Sequence, residues 1–199
     1  WEKWVGRETK RAVQRLEAFV LKGRHLKAVH VVVSVPKVHY DLSFVEMRKN
    51  VYRALKRVRC VGGLMIYHPW RWNAQGAYYS PHFHVVGYGW IVNARANFMN
   101  TGYVIRNIGK RKTLGGTIRY LLSHCGISAK HHSVTWFGAL SYGKLHVVYE
   151  KKSCTCPVCG NKLKRLCYVG TAPLNLPDVE NAVFIDDAVR WIYDPRPPG

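Results

Sequence analysis

Two histidines flank one phenylalanine at His82-Phe83-His84, inside the stretch Tyr79-Ser80-Pro81-His82-Phe83-His84-Val85-Val86-Gly87-Tyr88-Gly89. A β-branched, aromatic run of this kind reads as a strand, and alternate strand residues share a face. His82 and His84 then project together while Phe83 packs beneath them. Two imidazoles on one face are half of a divalent-metal site. The same short pattern also occurs in half-buried strands with two incidental polar positions. Tyr120 and His124 stand four apart, which on a helix puts a phenol and an imidazole on one side with Arg119 beside them. A half-buried tyrosine with an exposed histidine is the plainer account of that pair. Cys154-Thr155-Cys156-Pro157-Val158-Cys159-Gly160 contains Cys-Pro-x-Cys-Gly, a zinc-knuckle turn, and Cys167 follows it. Four thiolates from Cys154, Cys156, Cys159 and Cys167 would close a tetrahedral structural zinc site. Only one C-x-x-C knuckle is present, so a histidine could replace Cys154 or Cys167.

Composition narrows the class of protein. The chain has 199 residues, enough for one medium domain with a small appendage. It is 48% hydrophobic and 13% aromatic, so it can fill a core and is not disordered by composition. Lys and Arg number 31 against 11 Asp and Glu, a net +20 that repels itself in a compact state unless a polyanion is expected. Nucleic acid is the first candidate and an anionic membrane surface the second. No apolar run approaches the ~18 residues of a membrane span. Crowded cysteines suit a metal better than a disulfide framework, and an intracellular, cytoplasmic protein is expected. Cys60 and Cys125 read as small buried apolar residues. The chain opens on Trp1 rather than Met and reads as a piece of a longer protein.

The positioning elements follow from periodicity. Residues 8 to 22 carry Ala12, Val13, Leu16, Phe19 and Val20 at helical spacing, with a basic face expected to be solvated. Residues 27 to 35 form a nearly continuous apolar run stopped by Pro36, hence a central strand, in which His30 reads as a core histidine. Ser43-Phe44-Val45-Glu46 is a capping box. Phe44, Met47, Val51, Leu55 and Val58 then make an apolar stripe opposite Arg48, Lys49, Arg53, Lys56 and Arg57. Leu64 to His68 is a second strand, cut by Pro69, and residues 70 to 80 read as an exposed loop. If that strand and the His82 strand form a hairpin, His68 falls opposite His82 and adds a third imidazole, whereas a one-residue slip would turn it away. A helix is expected over residues 113 to 125, ended by Gly126. Residues 136 to 140 and 145 to 149 read as a strand pair. A short helix is expected over residues 176 to 193, and the proline-rich end reads as a linker. The architecture implied is α+β: a central antiparallel sheet with helices on one face over residues 1–150, and a small zinc-binding module with a tail over 151–199.

With both motifs placed, the sequence resembles the HUH endonucleases, most closely the rolling-circle replication initiators (Rep proteins) of archaeal-type plasmids and viruses. The likeness rests on residues 80–90 for the metal motif, on Arg119-Tyr120-Leu121-Leu122-Ser123-His124-Cys125-Gly126 for the tyrosine motif, and on residues 29–36 for the first strand. It covers about residues 26 to 150, in the family's motif order. It implies a ferredoxin-like HUH fold and nicking and joining of single-stranded or hairpin origin DNA through a 5′-phosphotyrosine link. Tyr120 would be the nucleophile, with Tyr103 a distant second, and Mn²⁺ or Mg²⁺ would sit on His82, His84 and a third ligand. A free phenol titrates at about 10, so it needs help to attack. Many Rep proteins carry Lys where this chain has His124, and other HUH enzymes use that position as a ligand. The third ligand thus lies between His68 and His124, or His124 positions Tyr120 and moves its proton. Arg48, Lys49, Arg53, Arg57, Arg71, Lys110, Arg111, Lys112 and Arg119 would follow phosphates, and Trp70, Trp72, Tyr78 and Tyr79 could stack on unpaired bases. The host replication machinery is a further expected partner and a membrane is not. An HUH transposase or relaxase shares the same site. A non-enzymatic zinc-ribbon protein that binds nucleic acid is the reading from a different class.

Overall fold

The computed structural model describes residues 2–21, 27–110, 113–126, 130–148, 155, 158–162, 166–170 and 190–193. The chain divides into two units, residues 1–148 and 149–199. The first is α+β, in the order α1 (Glu2–Leu21), β1 (Val29–Ser34), α2 (Phe44–Arg57), β2 (Cys60–Asn73), β3 (Gly76–Gly89), α3 (Ala94–Thr101), β4 (Val104–Lys110), α4 (Leu114–Ser123) and β5 (Val134–Gly138). The five strands form one sheet in the order β4-β1-β3-β2-β5, and every neighbouring pair is antiparallel. The apolar run of β1 is therefore central, as its composition requires.

Helices cover both faces of this sheet, not one. Val29, Val31 and Val33 of β1, Met65 and Tyr67 of β2, Phe83 and Val85 of β3 and Ile105 of β4 point to one face, where Met47, Val51, Ala54 and Leu55 of α2 bury against them. Leu64, Ile66, Val86 and Tyr88 point to the other and pack on Val5, Ala12, Leu16 and Phe19 of α1 and Ile118, Leu121 and Leu122 of α4. The reason is the period of two: β2 and β3 are apolar at odd and at even positions, so neither face of their part of the sheet can be left to water. The start of α2 is the predicted capping box. The Ser43 hydroxyl accepts from the Glu46 amide, and the Glu46 carboxylate accepts from the Ser43 amide at 3.0 Å. On α1 the basic face is not wholly solvated. Arg15 is 2% exposed and donates to the carbonyls of Leu140, Ser141 and Leu145 at 2.8, 2.9 and 2.6 Å, tying the helix to the turn after β5.

Four readings of local structure are corrected. Residues 70 to 80 are not a loop: β2 and β3 run through them as a long hairpin closed by the turn Asn73-Ala74-Gln75-Gly76. Pro69 does not end β2, because it sits at a register shift between His68 and Trp70, where no ladder N–H is needed. Residues 145 to 148 form no strand, and β5 pairs with β2 alone. The helix α3 and the strand β4 had no strong periodic signature and were not foreseen. The second unit contains β6 (Leu166–Gly170) paired antiparallel with β7 (Arg190–Tyr193), and a turn bracketed by a Thr155–Lys162 bridge. Residues 190–193 are thus strand where a helix was expected, and residues 176–189 lie outside the described ones. Among the described residues no helix is long and apolar enough to cross a membrane.

Candidate metal centre and tyrosine

The hairpin has the register that brings a third imidazole to the first two. His68 is the Cα partner of His82, and His84 lies two residues on along β3, on the same face as His82. Ring centroids are 5.4 Å apart for His68–His82, 4.5 Å for His68–His84 and 5.2 Å for His82–His84. One nitrogen from each of the three lies within 4.8 Å of the others. His124 stands outside this group, although its ring meets that of His68 at 4.7 Å. The three converging donors therefore come from the hairpin alone.

Each ring has one nitrogen tied back. His82 Nδ1 is 2.8 Å from the Ser80 carbonyl, so it carries the proton and leaves the Nε2 lone pair. His84 Nδ1 is 2.8 Å from Nε2 of His30 on the neighbouring strand. The His68 ring has a backbone hydrogen bond with Leu121 of α4, and its Nε2 is buried with no hydrogen-bond partner. A buried polar atom left so costs about 1–3 kcal/mol, and an ion in the triad would satisfy it. His30, given no site role from the sequence, thus orients a candidate ligand; its even-numbered place on β1, facing away from Val29 and Val31, was the available signal.

Burial decides the charge of these rings. It depresses the titration of His68 to about 3, of His82 to about 4 and of His84 to about 2, with the neighbouring imidazoles adding to the effect for each and Arg71 adding to it for His68 and His82. All three are neutral near pH 7, the form that binds a metal. Three neutral imidazoles, packed and individually oriented by hydrogen bonds, fit a divalent transition ion well, and the outer bonds match the usual support of such ligands.

Tyr120 and His124 come to the rim of the triad. Tyr120 is 67% exposed on α4, and its ring lies 4.6 Å from that of His124, which is the C-cap of the helix rather than a residue within it. The contacts run from Tyr120 to His124 to His68. Arg71 joins the same face, donating to the Ser34 hydroxyl at 2.8 Å and depressing His82 and His68 through its charge. Arg106 also shares it, since Val32 pairs with His84 on one side and with Arg106 on the other. Arg106 went unseen because β4 did. Arg119 is exposed on α4.

The other expected contacts lie elsewhere. Arg48, Lys49, Arg53 and Arg57 belong to α2, on the opposite face of the sheet from the triad. Trp72 is 79% exposed near the hairpin tip, while Trp70 and Tyr79 meet edge to face at 5.5 Å. Tyr78, Arg71's cross-strand partner, is exposed on the arm. Tyr103 is buried beneath α2, away from the triad face. Lys110 ends β4, and Arg111 and Lys112 lie outside the described residues. So do Cys154 and Cys156; Cys159 is exposed and Cys167 lies in β6. Cys60 and Cys125 are buried thiols whose titration burial raises to about 11. No protein-family description, curated protein or solved structure matches the chain.

Proposed function

We propose that the first unit is an HUH-type, tyrosine-nucleophile endonuclease that nicks and rejoins single-stranded DNA, in the manner of a rolling-circle replication initiator. One observation carries this reading: three neutral, individually oriented imidazoles, two buried and one half-buried, lie on a sheet face beside an exposed phenol of α4 that contacts His124, which in turn contacts His68. A divalent cation such as Mn²⁺ or Mg²⁺, when held by His68, His82 and His84, supplies positive charge against the oxygens of a scissile phosphate.

The chain's own residues do the rest. Tyr120 Oη attacks phosphorus, forming a Tyr–O–P bond as the bond from phosphorus to the 3′ oxygen breaks. His124, packed against the phenol ring, accepts the phenol proton, and the departing 3′ oxygen takes one proton from solvent water to become a hydroxyl. The displaced strand stays joined at its 5′ phosphate, so the bond energy is kept and a second attack by a 3′-OH closes it without a nucleotide cofactor. Arg71, Arg106 and Arg119 place cations on the approach to that face. In this reading the sheet is a ferredoxin-like variant, and the cysteine-rich segment is a zinc-stapled structural module.

The test is a covalent adduct. Incubated with Mn²⁺ and a 3′-labelled single-stranded origin oligonucleotide, the protein should acquire the label, and Tyr120→Phe should abolish transfer while leaving metal binding intact. A Tyr120→Phe protein that still becomes labelled would falsify the assignment. The zinc-ribbon reading expects no labelling with any metal.

A further inference from the structure

We infer that the strand released with a 3′-OH lies on the open part of the triad's sheet face, over β1 and β4, while the strand joined to Tyr120 leaves on the α4 side. This rests on the nuclease reading and adds to it the polarity of the substrate and the surface that holds its upstream segment.

Two rows of side chains cross this face, because cross-strand partners share it. In the strand order β2-β3-β1-β4, one row is His68, His82, Ser34 and Val104, and the other is Ile66, His84, Val32 and Arg106. The rows change character at β3. On the β2 side, α1 and α4 bury Leu64, Ile66, Val86 and Tyr88, and among the described residues none of β1 or β4 joins that packing. On the β1 side the floor is open. Val32 and Ser34 are half-buried, Arg106 is exposed, and Val104 is 47% exposed.

This floor carries cations and no described acid. Arg106 stands on it, and the half-buried Arg71 is held at its border by donating to Ser34 Oγ at 2.8 Å. Neither arginine forms an ion pair with a described carboxylate. Neighbouring strands lie about 4.8 Å apart, so Arg106, two strands over, has its backbone about 10 Å from that of His84. Its long side chain then meets the phosphates next to one held over the triad. Val32 and Val104 offer apolar surface to the sugars and bases between those contacts. Tyr78, across the arm from Arg71, offers an exposed ring to an unpaired base. Complementary charge and direct continuity with the triad select a single nucleic-acid strand as the occupant.

The direction of that strand follows from the direction of attack. In phosphoryl transfer the attacking and leaving oxygens are roughly in line, on opposite sides of phosphorus. Tyr120 comes from the β2 side, since its ring meets His124 and His124 meets His68. The sheet blocks departure downward, so the line of attack runs across the face from β2 toward β1. The leaving 3′ oxygen therefore points to β1 and β4, and the chain behind it lies there. Its contacts are independent of the covalent bond, so the 3′-OH stays in place for the rejoining step.

The parent protein with Mn²⁺ and the labelled origin oligonucleotide first yields the adduct, which marks the nick. Val104→Cys, at an exposed position, is then made in the Tyr120→Phe protein, so that the strand stays uncut. Two versions of the oligonucleotide carry an activated disulfide on a base, one to the 5′ side of the nick and one to the 3′ side. The 5′ probe should be trapped by Val104→Cys and the 3′ probe should not, read as a band shift on a non-reducing gel. Val45→Cys, 45% exposed on α2 across the sheet, should trap neither above the Tyr120→Phe background. Arg106→Gln should speed loss of the 3′-OH strand from the preformed adduct with an unchanged melting curve. It should also lower the salt slope of that strand's binding by about 0.7, for one lost phosphate contact. Equal or reversed trapping, trapping by Val45→Cys as strong as by Val104→Cys, or loss of the strand at the parent's rate overturns this inference alone. Absence of any adduct overturns the nuclease reading and this inference with it.

Discussion

The two faces of the five-stranded sheet are built from the same strands and put to opposite uses. Under α2, the side chains from Val29 across to Phe137 are hydrocarbon, and the cations sit outside the helix that covers them. Under α1 and α4, the face is hydrocarbon only as far as Leu64, Ile66 and Val86, and then turns to imidazole at His30, His68, His82 and His84. A helix laid on a face screens its sheet residues from substrate, whereas α4 ends at His124 and brings Tyr120 to the uncovered part. The basic stripe that sequence places alongside the histidines is thus separated from them by the thickness of the sheet. A polyanion touching both must pass around an edge.

Four measurements test this contrast. The largest effect belongs to the hydrocarbon face. Phe83→Ala, which empties a fully buried position between His82 and His84, should cost about 3–5 kcal/mol in urea unfolding. A smaller effect, per ring and per pH unit, belongs to the imidazole face. His68, His82 and His84 titrate lower in the folded protein than in the unfolded chain, so the unfolded state binds more protons once pH falls below about 6.5. Metal-free protein should therefore lose stability as pH drops from there toward 4, by at most about 1.4 kcal/mol per pH unit for each ring. His68→Leu should shallow that slope, measured by denaturant titration in chelator, and should also raise stability near pH 7 by removing the orphaned nitrogen. An unchanged slope would show that the rings titrate normally. Next, His30→Leu should weaken metal binding about 10- to 100-fold, with His30→Gln recovering part of it, because the bond to His84 Nδ1 orients a ligand. Calorimetry with Mn²⁺ or Co²⁺ reads this directly. The smallest effect is on the helix cap: Ser43→Ala should cost about 1 kcal/mol and leave metal affinity unchanged.

What could be read in the sequence was whatever depends on neighbours a few residues apart. The capping box at Ser43 and Glu46, the stripe of α2 and the pairing of His82 with His84 are all local patterns. The His68–His82 rung needed one further assumption, a hairpin, and the register supplied it. The failures are non-local or turn on an exception. Proline usually stops a strand, but Pro69 sits at a bulge, so the arm beyond it was mistaken for a loop. Which face Arg106 occupies depends on β1 lying between β4 and β3, and nothing in those segments announces that order. His30 shows the same limit in miniature: its identity was plain, and its partner was set by a strand more than fifty positions away.

The hairpin arm has a consequence for how it could be altered. Its strands alternate, so Trp70 and Trp72 lie on one side and Arg71 on the other, above a root stiffened by Pro69. Shortening both strands by two residues would move the tip inward without rolling it over. Trimming a single residue from one strand would turn guanidinium for indole along everything distal to the cut, while the rung that holds His68 and His82 stayed where it is.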